Sequence, residues 1–345
     1  MKRVTLVGRD IAPSQALRAL AEKLRQQECC AGLYVGDGKP LPASLDEIAL
    51  AALGSNLVIV GMSSSEALAR EELHVAELAK RKGIPLVLYA DTFGVHGRPW
   101  FEHLMAGSTL FHINGSEAEK AVEMFPKTDV VVTGNPMWEE FFYPRLTREK
   151  ARERIGAAEG QKVILCPGGK LAATNIVHFA SAIETFASFG NVLIAITLHP
   201  ADKTSPEVYD GLLSLSPVPT KIIAGAVISG PDMLPGVDVL FDSASTLGIE
   251  AVCLRVPVVH NLSFIAECRL KQMTGNAIWP LCEEGVVIDL TDTAFRYEAI
   301  SELLKHPERT YANCLRNAEA LYPVPKEKGL ALTKMMAAIE RLLAS

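Results

Sequence analysis

Short, almost uninterrupted runs of valine, isoleucine and leucine alternate with longer amphipathic segments along the first 136 residues. Continuous apolar runs are typical of strands in a parallel sheet that is covered on both faces, and the longer segments have helical spacing. The pattern therefore predicts a βαβ series. Its strand candidates are RVTLVG, AGLYVG, NLVIVG, IPLVLYAD, STLFHI and DVVVTGNP.

The same alternation begins again after a strongly charged helical segment, REKARERIG. Two helices are then expected at the end of the chain, over residues 301–322 and 329–345. The second set of strand candidates is KVILCPGG, NVLIAITLHP, TKIIAG, VDVLFDSAS, VPVVHN and GVVIDL.

Two such series in 345 residues predict an α/β protein with two Rossmann-like domains, each built on a doubly wound parallel sheet, that face a central cleft. The first domain is expected to span residues 1–143 and the second residues 144–325. We expect the C-terminal helix, within residues 326–345, to pack back on the first domain.

Composition and charge then narrow the possible functions. The formal net charge of −6 gives no general attraction to nucleic acid, so no nucleic-acid partner is expected. The first apolar run is too short for a signal peptide, and no apolar stretch approaches the roughly 18 residues of a membrane-spanning helix. A cytoplasmic location is therefore expected, although contact with a membrane surface and formation of a homodimer are both compatible with the sequence.

Known cofactor and metal motifs are missing from the sequence. The seven cysteines and eight histidines show neither a Cys-x-x-Cys nor a His-Glu-x-x-His spacing. The sequence also lacks the glycine fingerprints of dinucleotide sites and of P-loop nucleotidases. We therefore expect no cofactor and no metal requirement.

The segment DSASTLGIE follows an apolar strand and places hydroxyl groups where a helix is expected to begin, near Ser245 or Thr246. These hydroxyls, with that of Ser243, could simply cap the helix, or the unpaired N–H groups of its first turn could bind a phosphate. Glu250 lies one turn beyond Thr246 on the same helix face, where its carboxylate could accept hydrogen bonds from two ribose hydroxyls.

Two neighbouring strand ends offer further groups for an anion. In CPGGK, the glycines Gly168 and Gly169 would let backbone amides approach a phosphate, with Lys170 as its charge partner. His199 follows the strand NVLIAIT and could hydrogen-bond a base or phosphate, or cap the strand end. Ligands of parallel sheets bind beyond the carboxyl ends of the strands, which is where these residues fall.

In the first domain, the loop ADTFGVHGRPWFEH collects several acid and base candidates beyond the strand IPLVLY. Asp91 and His96 are the best candidates for a general base. Glu102 belongs either to this loop or to the following helix. We expect the loop to carry the reaction chemistry.

These segments resemble, in order along most of the chain, the nucleotide-sugar enzymes of the GT-B fold, particularly the group of UDP-N-acetylglucosamine 2-epimerases and lipid-A-disaccharide synthases. VVVTGNPMWEEF resembles their inter-domain crossover, VILCPGGK their glycine loop, and DSASTLGIEAVCLRVPVVH their donor-binding strand, helix and strand. PWFEH resembles the Pro-Trp stretch of the epimerases, which places their catalytic glutamate on Glu102. Two segments depart from the epimerases: CPGGK stands in place of their His-Arg segment, and VGRDIA in place of their Gly-Thr-Arg-Pro-Glu loop.

The resemblance implies an enzyme acting on a nucleotide-activated sugar, with Ser245 and Thr246 at its phosphates and Glu250 at its ribose. We expect an inverting glycosyltransferase of surface polysaccharide or glycolipid synthesis, in which Asp91 or His96 deprotonates the hydroxyl of a glycan or lipid-linked acceptor. The alternatives are a UDP-N-acetylglucosamine 2-epimerase, with Asp91 and Glu102 as proton carriers, and a non-catalytic nucleotide-sugar-binding protein. The nucleotide itself is left open.

Overall fold

The computed structural model describes residues 2–199, 202–291 and 296–344, and for Arg269, Met273 and Thr274 it describes the backbone alone. The chain divides into two compact units. The N-terminal unit contains Met1–Glu140, Met273–Asn276 and Pro325–Ser345, and the C-terminal unit contains Phe141–Gln272 and Ala277–Val324.

The N-terminal unit is built on six parallel strands in the order β2-β1-β3-β4-β5-β6. The strands are β1 (Arg3–Gly8), β2 (Cys30–Val35), β3 (Leu57–Gly61), β4 (Leu86–Tyr89), β5 (Thr109–His112) and β6 (Asp129–Val132). The helices between them are α1 (Ile11–Gln26), α2 (Leu45–Leu53), α3 (Glu66–Arg81), α4 (Glu102–Met105) and α5 (Gly115–Met124).

Both faces of this sheet are covered at β3, which explains why that strand has no polar side chain. On β3, Val58 and Val60 pack into one buried cluster with α2 and α3, whereas Leu57 and Ile59 pack into another with α1. Successive side chains of a strand point to opposite faces, so a strand that is buried on both faces needs apolar residues in both sets.

The C-terminal unit repeats the architecture with six parallel strands in the order β12-β11-β10-β7-β8-β9. The strands are β7 (Lys162–Pro167), β8 (Val192–Thr197), β9 (Thr220–Ile222), β10 (Val239–Asp242), β11 (Val258–His260) and β12 (Ile288–Asp289). The helices of this part of the chain are α6 (Arg148–Ile155), α7 (Ala172–Phe186), α8 (Glu207–Leu213), α9 (Gly230–Met233), α10 (Thr246–Cys253), α11 (Phe264–Thr274), α12 (Pro280–Glu283), α13 (Arg296–Lys305), α14 (Pro307–Thr310) and α15 (Ala312–Leu321).

The last helix, α16 (Leu330–Ala344), belongs to the N-terminal unit. Met335 and Ile339 of this helix are fully buried in the cluster formed by β1, β3 and α1. Its N-terminus is held by the carboxylate of Glu139, which accepts the N–H groups of Gly329 at 2.6 Å and Ala331 at 2.5 Å. A carboxylate in this position satisfies amides that the first helical turn leaves unpaired.

All twelve strands of the described residues lie where the apolar runs predict them, but the single helix expected over residues 301–322 is wrong. Helix α13 ends at Lys305, and α14 and α15 follow as separate helices. Pro307 is the physical reason, because proline cannot donate the backbone hydrogen bond that a continuous helix requires there and is tolerated in a first turn. Among the described residues, no helix is both long and apolar enough to cross a membrane.

Candidate functional site

Asp91 lies two residues beyond the end of β4 and is 5% exposed. Its carboxyl group makes no hydrogen bond to another residue within the described part of the chain, although its backbone carbonyl accepts from Asn135 Nδ2 at 2.7 Å. Burial raises the pKa of Asp91 to about 6, against the opposing effect of the Arg98 charge. Asp91 is thus a carboxyl group that can both hold and release a proton near neutral pH.

Arg98 supplies a buried positive charge that acts on Asp91. It is 8% exposed, and its Nε has no hydrogen-bond partner among the described residues. Burial lowers the pKa of the Arg98 guanidinium, and the charges of Asp91, Asp10 and Glu72 raise it. An Nε–H group that is buried without a hydrogen-bond partner is energetically unfavourable, so it is suited to donate to a group brought by a ligand.

Glu72 of α3 ties together the loops that follow β1 and β3. Its Oε1 accepts from the amide of Arg9 at 2.8 Å and from Ser63 Oγ at 2.8 Å, and its Oε2 accepts from the amide of Ser63 at 2.9 Å. Burial nevertheless raises the pKa of Glu72 to about 8. Asp10 completes the connection, because its Oδ2 accepts from the amide of Ser64 at 2.7 Å.

His96 lies in a buried chain of hydrogen bonds that fixes its tautomer. The amide of Ile113 donates to His112 Nδ1 at 3.0 Å, so the proton of the neutral His112 ring is on Nε2. This nitrogen lies 3.0 Å from His96 Nδ1, which must therefore accept. Burial lowers the pKa of both rings, that of His112 to about 3, which keeps them neutral.

The expected role of His96 as a general base is corrected by this arrangement. Its Nδ1 accepts a hydrogen bond and its Nε2 carries the ring proton, so neither nitrogen has a free lone pair. Glu117, whose Oε2 lies 3.7 Å from His96 Nδ1, accepts the amide of Gly94 at 2.7 Å and thereby anchors the loop.

Glu102 is not one of the residues whose charges act on Asp91. It is exposed at the first position of α4. The charges that act on Asp91 are those of Arg98 and Asp10. The charge of Glu102 therefore does not contribute to the raised pKa of Asp91.

In the C-terminal unit, Ser245 is the N-cap of α10, as one of the two interpretations of DSASTLGIE predicts. Its Oγ accepts from the amide of Gly248 at 3.3 Å and donates to Asp242 Oδ1. The hydroxyl proton is thus already used, which corrects the expectation that Ser245 donates to a phosphate. Asp242 is fully buried and also accepts from the amide of Ser245 at 3.2 Å.

Three side chains near the start of α10 have fewer hydrogen-bond partners than Ser245: those of Ser243, Thr246 and Glu250. Ser243 is half-buried and Thr246 is exposed, and neither side chain has a hydrogen-bond partner within the residues that the structure describes. Burial raises the pKa of Glu250 to about 7, and the charge of Arg145 opposes this shift. These three side chains can bind a ligand without first breaking a hydrogen bond.

The glycine loop after β7 has a different role from the one expected. The amide of Gly168 donates to the carbonyl of Thr197 at 2.7 Å, and that of Gly169 to Asn175 Oδ1 at 2.6 Å. Neither amide is free for an anion, which corrects that expectation. Gly168 lies in a tight space, because an added Cβ would lie 3.1 Å from the Thr197 carbonyl oxygen. Lys170 is exposed and remains available to a ligand.

His199 follows β8, as expected, and its backbone carbonyl accepts from the amide of Asp202 at 2.8 Å. Pro200 of the same His-Pro pair lies outside the described residues. Asp202 accepts from Asn175 Nδ2 and from Tyr209 Oη, both at 2.9 Å. This network connects the loops after β7 and β8.

Sequence reasoning missed the residues that interact with Asp91 in the N-terminal unit and with Ser245 in the C-terminal unit. Asp10, Glu72 and Arg98 come from three separate segments, and only the fold brings them to Asp91. Asp242 was visible in the sequence, but its bonds to the start of α10 depend on the left-handed conformation of Ala244, at φ 58°. For Asp10 and Asp242, the signal that could have identified them is their position at or just beyond the end of a strand, whereas Glu72 lies within α3 and has no such signal.

Comparison by sequence finds no matching family model and no matching curated protein. Comparison by structure finds similar folds over nearly the whole chain. One is UDP-GlcNAc 2-epimerase from Neisseria meningitidis, crystallised with UDP-GlcNAc, at 14% identity and TM-score 0.65, covering 98% of this chain and 100% of that one. Another is Acinetobacter baumannii MurG, at 15% identity and TM-score 0.63, covering 99% and 100%.

A glycosyltransferase from Rickettsia africae is also similar, at 12% identity and TM-score 0.59, covering 99% of this chain and 98% of that one. Identities this low establish the fold and leave the reaction open. Two six-stranded parallel sheets with flanking helices give the chain the GT-B fold of these structures.

Proposed function

We propose that the protein is a glycosyltransferase that uses a nucleotide-activated sugar, with Asp91 as the general base. The observation that carries this proposal is the state of Asp91: it is buried, its carboxyl group is bonded to no other residue described, and its pKa is raised to about 6. A base with a pKa close to the working pH is effective because it is ionised and still basic enough to take a proton.

The proposed reaction assigns the base and the donor to different units. Asp91 takes the proton of the acceptor hydroxyl as that oxygen attacks the anomeric carbon of the sugar, and the bond to the nucleotide phosphate breaks. The departing phosphate gains negative charge, which the first turn of α10 is suited to stabilise through its amides and dipole. Thr246 and Lys170 contribute a hydroxyl and a positive charge on the donor side.

Glu250 is proposed to hold the ribose. Its carboxylate makes no hydrogen bond to other described residues, and it lies one helical turn beyond Thr246. A carboxylate can accept two hydrogen bonds from neighbouring hydroxyls. Because its pKa is raised to about 7, binding of the ribose should favour the ionised form and become stronger as the pH rises.

Arg98 is proposed to contact the substrate beside Asp91. Its unpaired, buried Nε and the neighbouring carboxyl groups offer a donor and acceptors, which is the combination that sugar hydroxyls need. We further propose a cytoplasmic location, a role in surface polysaccharide or glycolipid synthesis, and a reaction without metal or cofactor.

A second candidate is a UDP-GlcNAc 2-epimerase, supported by the structural similarity to the Neisseria meningitidis enzyme. The exposed position of Glu102 argues only against the particular Asp91–Glu102 pair that the resemblance to the epimerases implies. A non-catalytic nucleotide-sugar-binding protein is the third possibility, and it predicts binding without turnover.

The test is incubation of the full chain with UDP-, CMP-, CDP- and GDP-sugars, each with and without a panel of glycan and lipid-linked acceptors. Release of the nucleotide that depends on an acceptor, with formation of a glycosylated product, supports the transferase. Inversion at C2 of the sugar without any acceptor would instead identify an epimerase. Binding of a nucleotide sugar without chemical change under all conditions would contradict both enzymes.

The matched controls are variants with the same chemical change on the surface. Asp91→Asn is compared with Asp46→Asn, an exposed residue in the first turn of α2. Glu250→Gln is compared with Glu207→Gln, an exposed residue of α8. The proposal requires that Asp46→Asn and Glu207→Gln behave as the unmodified protein in every assay.

A further inference from the structure

Three potential metal ligands of different chemistry converge in the C-terminal unit. A ring nitrogen of His260, Sγ of Cys282 and a carboxylate oxygen of Asp289 all lie within 4.8 Å of one another. They come from β11, α12 and β12, so no local spacing in the sequence connects them.

The backbone holds these three residues in place. His260 and Asp289 are direct partners in the parallel pairing of β11 and β12, so their side chains lie side by side. The amide of Leu290 donates to the carbonyl of His260 at 2.8 Å. On α12, the amide of Cys282 donates to the carbonyl of Trp279 at 2.8 Å. The cluster is thus positioned by main-chain hydrogen bonds rather than by flexible loops.

The polar atoms of this cluster are not fully satisfied by the protein. His260 is 1% exposed, and its Nδ1 has no hydrogen-bond partner among the described residues. Leaving such a buried group unpaired destabilises a fold, so a bound ligand that satisfies it is favoured. Asp289 uses Oδ1 to accept the amide of Thr291 at 2.9 Å, and its carboxylate also accepts a hydrogen bond from the Cys282 thiol.

We propose that His260, Cys282 and Asp289 bind a divalent metal ion of the zinc class. Imidazole nitrogen, thiolate sulfur and carboxylate oxygen are the three ligand types that zinc uses in proteins. Three protein ligands leave the fourth tetrahedral position for water or a substrate atom. This site is independent of the proposed transferase reaction, and it departs from the expectation of no metal that the sequence motifs gave.

The second such cluster in the described residues shows what would argue against a metal. His96, His112 and Glu117 also lie within 4.8 Å of one another. There, however, the amide of Ile113 donates to His112 Nδ1, which leaves the proton on the nitrogen that would have to bind the ion. No such bond blocks the imidazole of His260 among the residues that the structure describes.

Binding at the proposed site must release a proton. A cysteine with an ordinary pKa of about 8.5 is mostly a thiol at neutral pH, and only the thiolate binds a metal. The ion replaces that proton: the S–H bond breaks, a sulfur–metal bond forms, and the proton passes to solvent. The affinity is therefore expected to rise with pH.

The test is titration of the full chain, freed of metal by a chelator, with Co²⁺ and with Zn²⁺. Co²⁺ bound by a thiolate gives a sulfur-to-cobalt charge-transfer band, and we expect this band to saturate at one ion per chain and to be displaced by Zn²⁺. Absence of the band, or binding without defined stoichiometry, would overturn the proposal.

Variants identify the ligands. Cys282→Ser should abolish the charge-transfer band, whereas Cys268→Ser, which removes an exposed thiol of α11, should retain it. His260→Ala and Asp289→Asn should each weaken Zn²⁺ binding by at least about tenfold, since even outer-shell changes have that effect. Circular dichroism confirms that each variant is folded, and the exposed position of Asp289 makes Asp289→Asn the safest of them. A band that persists in Cys282→Ser would contradict the proposed ligands.

Discussion

Asp91 and Asp242 look alike at first sight but differ in what surrounds them. Each is a buried aspartate at the end of a strand, Asp91 after β4 and Asp242 at the end of β10. Burial raises the pKa of each to about 6. Asp242, however, accepts hydrogen bonds from the amide and hydroxyl of Ser245, whereas the carboxyl group of Asp91 is bonded to no other residue described.

The difference shows that a raised pKa does not by itself identify a general base. Asp242 satisfies the start of α10, and an added Cβ on Gly248 would lie 2.7 Å from its Oδ2, so the carboxyl group is enclosed by the helix. It therefore acts as part of the fold. Asp91 is influenced by the charges of Arg98 and Asp10 without being bonded to them, which leaves it available to a substrate.

The largest effect that this comparison predicts is on turnover. Asp91→Asn removes the proposed base, and we expect kcat to fall by about 10²- to 10⁴-fold, the usual contribution of a general base. Thermal unfolding should change little, because no hydrogen bond of the Asp91 carboxyl to another described residue is lost. Turnover in Asp91→Asn equal to that of Asp46→Asn would remove Asp91 from the reaction.

A third buried acid, Glu72, tests whether a buried carboxyl group with a raised pKa changes the stability of the fold with pH. Its folded-state pKa of about 8 lies above the ordinary value of 4.5, so its stabilising contribution is complete below pH 4.5 and is lost as the pH rises through 8. At about 1.4 kcal/mol per pKa unit, the loss is on the order of a few kcal/mol. Chemical denaturation between pH 5 and pH 8 should show this decline in the unmodified protein and not in Glu72→Gln. An equal decline in both proteins would assign it to other groups.

Asp242→Ala should affect stability where Asp91→Ala does not. Hydrogen bonds to a charged group contribute about 1.5–3 kcal/mol, and the alanine would leave the amide and hydroxyl of Ser245 without their acceptor. We therefore expect the free energy of unfolding to fall by about 2 kcal/mol in Asp242→Ala. If urea denaturation shows the same loss for both alanine variants, the distinction between the two aspartates is wrong.

The smallest predicted effect concerns the donor side. Glu250→Gln should weaken nucleotide binding by about tenfold, equivalent to about 1.4 kcal/mol, because the amide keeps one acceptor and loses the charge. In the unmodified protein the affinity should fall as the pH drops below the pKa of about 7, and in the variant this dependence should vanish. Calorimetry at pH 6 and pH 8 measures both, with Glu207→Gln as the control. Unchanged affinity in a folded Glu250→Gln would exclude this residue from the site.

Much of the fold is predictable from the sequence, because a strand that is buried on both faces leaves a continuous apolar run. The run NLVIVG, for example, becomes β3 with every residue of the strand buried. The helix over residues 301–322 was mispredicted because its apolar spacing continues across Pro307, which interrupts the backbone hydrogen bonds.

The site is less predictable, because hydrogen-bond partners depend on long-range contacts. Asp91 could be identified from its position after a strand. The bond between His112 and His96, by contrast, depends on the packing of β5 against the loop after β4, and it changes the chemistry of His96. Likewise the amides of Gly168 and Gly169 appeared free in sequence, but the fold supplies acceptors from Thr197 and Asn175.

The most direct test is the pH dependence of kcat/KM for the acceptor, the parameter that reports the pKa of the enzyme before the acceptor binds. If Asp91 must be ionised to act, kcat/KM should fall tenfold per pH unit below about pH 6 in the unmodified protein and equally in Asp46→Asn. The residual activity of Asp91→Asn should lack this acid limb. An acid limb with the same midpoint in Asp91→Asn would show that another group takes the proton, and would contradict the assignment of Asp91 as the base.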